Sequence, residues 1–177
     1  MEMRKKLFAT EIAGFIFVSI TGTLCHFAYE WSGFNIAVGL FCPVNESVWE
    51  HLKLLYFPYL LWGIIQCFRY KDCKQILSCK CIGAICAMVT ITGFFYTYSG
   101  IIGKTIDALN ILSFFIGVLA GFAIDYTLIK SVKFDSTKSL IASIIVFLIL
   151  CGIFFLFTIY PPIIPLFRDP LSLSYGI

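Results

Sequence analysis

The chain has 177 residues, of which 60% are hydrophobic and 13% charged, with a mean hydropathy of +0.94. A soluble domain carries about 25% charged residues and could not hide this much apolar surface. These values exclude a soluble enzyme, a disordered chain and a nucleic-acid-binding domain, and they point to a chain whose solvent is lipid. The net charge of +3 says less than its distribution. The eight cysteines, several of them inside apolar runs, read as small hydrophobes rather than a disulfide framework.

A basic segment, Met1 to Lys6, precedes an apolar run from Leu7 to about Phe27. The run is long for a signal peptide, Glu11 interrupts it, and no small-residue cleavage site follows, so it reads as a retained first helix. Tyr29 to Asn45 is too broken by Gly33, Gly39 and Pro43 to span a bilayer. It reads as an outer loop with an interfacial or re-entrant piece at Ile36–Phe41. A second helix is expected from Glu46 to Phe68, with Asn45 as N-cap, Val44 and Trp49 as a hydrophobic staple and Pro58 as a kink. Arg69 to Lys80 reads as a basic loop, Cys81 to Tyr98 as a third helix, and Gly100 with Gly103 as a turn. The fourth helix is expected from Thr105 to Ile129, a second basic loop from Lys130 to Lys138, and the fifth helix from Ser139 to Tyr160. Pro161, Pro162 and Pro165 then forbid continuation. The fold class is therefore an all-α membrane protein: one integral-membrane helical domain, 1–177, of about five transmembrane helices.

Orientation follows from lysine and arginine in the short loops. Arg4, Lys5, Lys6, Arg69, Lys71, Lys74, Lys80, Lys130, Lys133 and Lys138 fall on one side, and Lys53, Lys104 and Arg168 on the other. This bias predicts a cytoplasmic amino terminus, an extracytoplasmic carboxyl terminus and residence in the cell membrane, with the lipid bilayer as partner and no nucleic acid.

Polar residues gather on the outer side. On a helix starting at Asn45, Glu46, Ser47, Glu50, His51 and Lys53 fall within an arc of roughly 160°. Glu11, Phe15, Ser19, Gly22, His26 and Tyr29 form one stripe of the first helix, with Glu30 one turn beyond His26. Asp107 and Asn110 begin a similar stripe in the fourth, above Gly117 and Gly121, whose spacing allows close helix contact. Tyr96 and Tyr98 end the third helix at the same level. Ionisable groups at membrane depth are costly and face cavities, so these stripes are expected to converge. Glu46, Glu50, His51 and His26 are the candidates for acid–base work. Asn45, Ser47, Lys53, Glu30, Asp107, Asn110 and Tyr96 are the candidates for ligand binding. Histidine with carboxylate is the donor set of a divalent-metal site, for which His26, His51 and Glu50 would be the ligands, although no motif spacing demands one. Cys73, Cys79, Cys81 and Cys86 match no zinc pattern. Glu11 and Asp125, near the cytoplasmic ends of their helices, are expected to snorkel or pair with lysines, with a proton path as the alternative.

Cys25-His-Phe-Ala-Tyr-Glu-Trp31, Pro43-Val-Asn-Glu-Ser-Val-Trp-Glu-His-Leu-Lys53 and the closing Arg168-Asp-Pro to Tyr175-Gly-Ile177 resemble a family of small bacterial multi-pass membrane proteins. That family's defining stretch is similar to Pro-Val-Asn-Glu-Ser-x-Trp-Glu-His-x-Lys. The resemblance implies a bacterial cytoplasmic membrane and carries no activity, so it transfers no catalytic residue.

Three functional classes follow. The first is a membrane-embedded enzyme or binding protein with an outward polar pocket for a lipid headgroup or small polar ligand. Clustering of ionisable residues at one depth favours it. The second is a small transporter or channel, which with five helices would act as a homo-oligomer. The third is a non-catalytic accessory subunit.

Overall fold

A computed structural model describes the backbone of residues 2–177 and the side chains of residues 5–177. Of the basic amino-terminal segment, Met1 and the Arg4 side chain lie outside the described residues. Seven helices follow in order: α1 (Glu2–Trp31), α2 (Ile36–Gly39), α3 (Val48–His51), α4 (Lys53–Tyr70), α5 (Cys73–Ile102), α6 (Asp107–Ser131) and α7 (Thr137–Ile159). A 3-10 turn at Pro165–Phe167 begins the tail. The end of the bundle where α1 finishes and α4 begins is here the upper end, and the opposite one the lower end.

Among the described residues, four helical stretches are long and apolar enough to cross a membrane: Lys5–Trp31, Cys73–Ile102, Asp107–Ser131 and Thr137–Ile159. The fifth expected span, α4, is only 18 residues long and carries Lys53, Pro58, Gln66 and Arg69. It is nevertheless a central element. Leu54, Leu55, Tyr56, Pro58, Tyr59, Gly63, Gln66 and Cys67 are all buried, so its polarity is turned inward. The other long helices are apolar outside. In α1, Phe8, Ile12, Ile16, Ile20 and Leu24 form an exposed i,i+4 stripe, while Glu11, Val18 and Ser19 are buried. In α7 the exposed residues include Ile141, Ile145, Leu148 and Ile149.

The core is a continuous cluster of Val18, Leu55, Tyr56, Tyr59, Ala84, Ala87, Ile91, Val118, Phe122, Phe147 and Phe154. Helices α5 and α6 meet at the expected small residues. A Cβ on Gly117 would lie 3.0 Å from the Ala87 carbonyl oxygen, and one on Gly121 would lie 3.2 Å from that of Gly83. Side chains of that size would force the backbones apart.

Several boundaries differ from the sequence expectation. The helix expected at Glu46 starts at Val48, and its N-cap is Ser47, whose side chain accepts a hydrogen bond from Glu50 N. Asn45 instead makes a turn of its own: Oδ1 accepts from Ser47 N at 3.0 Å, and Nδ2 donates to the Gly176 carbonyl at 3.0 Å. It ties the tail to the loop rather than capping a helix, because its side chain reaches the amide two residues on. The interfacial piece at Ile36–Phe41 contracts to the single turn α2, capped by Asn35. The expected basic loop Arg69–Lys80 is mostly helix. Lys71 ends α4 with φ 55°, the Asp72 side chain accepts from Gln75 N, and α5 begins at Cys73. Lys80 therefore sits two turns inside α5 and is fully buried, not in a loop. Lys53 is buried too. Setting both aside leaves the lysine and arginine bias with the same sign.

Candidate functional site

At the upper end, α1 delivers His26, α3 delivers His51, and the loop before α3 delivers Glu46. One ligand atom from each of the three lies within 4.8 Å of the other two. The imidazole centroids are 5.1 Å apart with their planes at 52°. His51 Nε2 is 3.3 Å from Glu46 Oε2, with 28% and 43% of the respective side chains exposed. His51 Nδ1 lies 2.9 Å from the Ser47 carbonyl oxygen. Because a carbonyl only accepts, Nδ1 carries the hydrogen and donates it. His26 Nδ1 is buried without a hydrogen-bond partner in the protein. A cleft of about 180 Å³ opens beside the cluster, lined by His26, Tyr29, Glu30, Phe34, Pro43, Val44, Asn45 and Glu46.

The electrostatics follow from these contacts. The hydrogen bond from His51 holds the Glu46 carboxyl below its ordinary range, against burial, and the His51 and His26 rings add to the effect. Burial works against a charged His51 ring. The hydrogen bond and charge of Glu46, the Ser47 carbonyl and the charge of Glu50 outweigh it and raise the His51 pKa.

Glu50 and Lys53 do not line the cleft. Both point into the bundle, 2% and 0% exposed. Lys53 Nζ donates to Glu50 Oε2 at 2.6 Å, to the Gly39 carbonyl at 2.8 Å and to Thr158 Oγ1 at 2.5 Å. All three ammonium hydrogens are thereby used. Glu50 Oε2 also accepts from Val44 N at 3.0 Å, and Glu50 Oε1 lies 3.1 Å from Thr158 Oγ1. One positive and one negative charge thus bind α2, α3, α7 and the loop that carries Glu46. Trp49 packs in tilted contact on Phe154 and Phe167, holding the other side of α3 against α7 and the tail. The pair holds the cleft's loop in place, and the ammonium of Lys53 has no hydrogen left to offer a ligand.

The remaining expected residues divide. Glu30 and Asn45 line the cleft, while Ser47 is buried as a cap. Asn110 accepts a hydrogen bond from Tyr98, and Asp107 is exposed. Neither they nor Tyr96, which is 41% exposed, line the cleft.

The lower end holds a second polar centre. Glu11 of α1 and Asp125 of α6, both expected near lysines, converge on Lys80. Its Nζ lies 2.9 Å from Glu11 Oε2 and 2.6 Å from Asp125 Oδ2. Gln66 Nε2 donates to Glu11 Oε1 at 2.8 Å, and the Tyr59 hydroxyl donates to Asp125 Oδ2. The ammonium also sits 4.1 Å from the Phe122 ring centroid and 4.9 Å from that of Tyr59. Lys80, Asp125 and Gln66 are fully buried. Gly83 permits this: a Cβ there would collide with Asp125 Oδ1 and stand 2.6 Å from the Tyr59 hydroxyl. Sequence reading found the two acids but not Lys80, Tyr59 or Gln66. The available signal was Gln66 and Lys53 interrupting an otherwise apolar helix, which requires an inward polar face.

The chain belongs to a family of unknown function (DUF6512), whose profile matches residues 2–177. No curated protein and no solved structure matches it.

Proposed function

Starting from membership of a family that brings no activity, we propose that this chain is a multi-pass membrane protein with an outward-facing polar pocket. The pocket binds a lipid headgroup or small polar ligand, and its acid–base residues equip it for chemistry on that ligand. The bilayer is crossed five times, by α1, α4, α5, α6 and α7. At 1.5 Å per residue α4 is about 27 Å long, close to a hydrocarbon core of ~30 Å. Its Lys53 and Gln66 are buried within the bundle, away from lipid. The loop bias supports a cytoplasmic amino terminus with the upper end and the tail outside, and the resemblance implies that the membrane is a bacterial cell membrane.

The observation that carries this reading is the meeting of His26, Glu46 and His51 beside an open cleft, at one end of an otherwise apolar exterior. A transporter is less well supported. Between the two polar centres the interior is closed by Val18, Leu55, Tyr56, Val118 and Phe122, which offer no polar path.

The test is a thermal-shift series on purified protein with glycerol phosphate, phosphoethanolamine and phosphocholine. At least one should raise the melting temperature of the wild type, and the rise should shrink in His51→Ala and Glu46→Gln. No shift with any headgroup in the wild type would remove the ligand reading and leave the accessory-subunit one.

A further inference from the structure

We propose that His26, Glu46 and His51 bind a divalent transition-metal ion of the zinc class, held at the mouth of the cleft. The inference rests on the pocket described above and names what makes it a site. Two imidazoles and one carboxylate are the three protein ligands of one class of catalytic zinc centre, which leaves the fourth position open. Here the three donors approach one another within 4.8 Å, and two of them, His26 and Glu46, line the cleft.

Two details go beyond donor composition. The first is the His51 tautomer. With Nδ1–H committed to the Ser47 carbonyl at 2.9 Å, the neutral ring turns the Nε2 lone pair toward Glu46 Oε2, 3.3 Å away. A lone pair facing a carboxylate is repulsive unless a cation is shared between them. A ring N–H donated to a backbone carbonyl is also the usual outer-shell arrangement of a metal-bound histidine. A proton on Nε2 donated to Glu46, or a metal ion held between the two atoms, relieves that repulsion, and the separation of 3.3 Å leaves room for either. The second detail is His26. Its Nδ1 is buried and makes no hydrogen bond in the protein, so that ring nitrogen is not committed elsewhere.

The scaffold is rigid where the ligands need it. Ser47 caps α3, and Asn45 fixes the turn before it and bonds to Gly176. The buried Glu50–Lys53 pair anchors Val44, two residues from Glu46. Glu50 itself, which the sequence offered as the carboxylate ligand, is committed to that pair, and Glu46 takes its place. A metal ion there would present a positive centre to a phosphate or carboxylate entering past Glu30 and Asn45.

The experiment uses the full chain in detergent, stripped with EDTA and titrated with Zn²⁺ by calorimetry. Co²⁺ serves as a spectroscopic substitute. The expected result is one equivalent bound, with visible absorption from Co²⁺ in a low-symmetry nitrogen and oxygen field that Zn²⁺ abolishes. Loss of an outer-shell partner costs 10–100-fold in affinity, so His26→Ala and His51→Ala, which lose a ligand, should each weaken binding at least ~100-fold. Asp107→Asn, at an exposed acid that does not line the cleft, should keep the stoichiometry and the Co²⁺ spectrum. The proposal is overturned if the wild type binds no stoichiometric Zn²⁺, or if both histidine variants bind as tightly as the wild type. A wild type that takes up a headgroup but no metal loses this proposal and keeps the pocket. One that binds metal but no headgroup keeps the metal site and loses the ligand reading.

Discussion

The two polar centres of this bundle are built from similar residues and solve opposite problems. The lower one places one ammonium between two carboxylates, closed over by Tyr59, Phe122 and Gln66 and out of reach of water. The upper one has two layers. The inner layer, Glu50 with Lys53, is as deeply buried and is charge-balanced. The outer layer, His26 with Glu46 and His51, is half open: its unpartnered ring nitrogen lies beside a cleft, whereas Asp125 Oδ1 and Gln66 Oε1, the unpartnered atoms of the lower centre, are sealed in. Buried charge is tolerated only when paired and hydrogen-bonded, and removing one partner costs far more than the pair contributes. Sealed pairs such as Lys80–Asp125 and Lys53–Glu50 therefore behave as structure. An open, incompletely satisfied cluster is where a ligand can add interactions that the protein does not make for itself.

The sharpest way to break this comparison is to remove the cation from the sealed centre. Lys80→Met strands Glu11 and Asp125 together, and should cost about 3–5 kcal/mol or prevent folding. Asp125→Asn leaves one carboxylate per ammonium and should cost distinctly less. Thermal denaturation of the two variants in detergent checks the order, and equal losses would show that charge balance is not what the centre depends on. The next effect is steric. Gly83→Ala drives a methyl group into Asp125 and the Tyr59 hydroxyl and should cost about 1–3 kcal/mol in the same assay. Neutral behaviour would mean that α5 and α6 can part without disturbing the centre. Asn45→Ala loses both the turn and the bond to Gly176. It should cost roughly 1 kcal/mol and speed proteolysis of the tail, which loss of a helix cap alone would not do.

The smallest effect is a pH profile at the open cluster. Glu46 is lowered from its ordinary 4.5, so its contribution is complete above that value and is lost as pH falls through the lowered one. His51 is raised from 6.5, so its contribution is complete below 6.5 and is lost as pH rises through the raised value. Glu50 supports the charged ring, and His26 favours the Glu46 carboxylate. Metal-free protein should therefore be most stable, as far as this pair is concerned, between pH 4.5 and 6.5. The high-pH decline should flatten in His51→Asn, and a profile identical to the wild type would deny the coupling.

The sequence showed most of the bundle because its apolar runs are long: four of the five expected runs fall on the helices long and apolar enough to cross a membrane, α1, α5, α6 and α7, and the other falls on α3 and the shorter α4. It also showed the stripe that carries His26, because helical spacing puts those residues on one face, whereas Glu46 meets His51 from the loop before α3 and not from the expected helical arc. Lys80 was missed because counting lysines toward a loop assumes that they lie in water. Nothing local to Cys79-Lys80-Cys81 shows that acids from α1 and α6 will meet it. Glu50 was placed with the cleft because a continuous helix from Asn45 would turn it outward. The helix starts three residues later, and Lys53 with Thr158 draws the carboxylate in. Asp107 and Asn110 were placed by level along the axis, which periodicity gives, but their rotation toward the cleft depends on tertiary packing, which periodicity does not give.

The central claim is that the open cluster faces the outside while the sealed centre's end faces the cytoplasm. Native Cys73 is an exposed thiol at the lower end, and Glu30 is exposed at the rim of the cleft. Intact cells expressing the native chain, or a Glu30→Cys, Cys73→Ser chain, are treated with a membrane-impermeant maleimide. The account predicts that the introduced cysteine at position 30 labels in intact cells and that Cys73 labels only after permeabilisation. Labelling of Cys73 in intact cells, with position 30 protected until the membrane is opened, would contradict it.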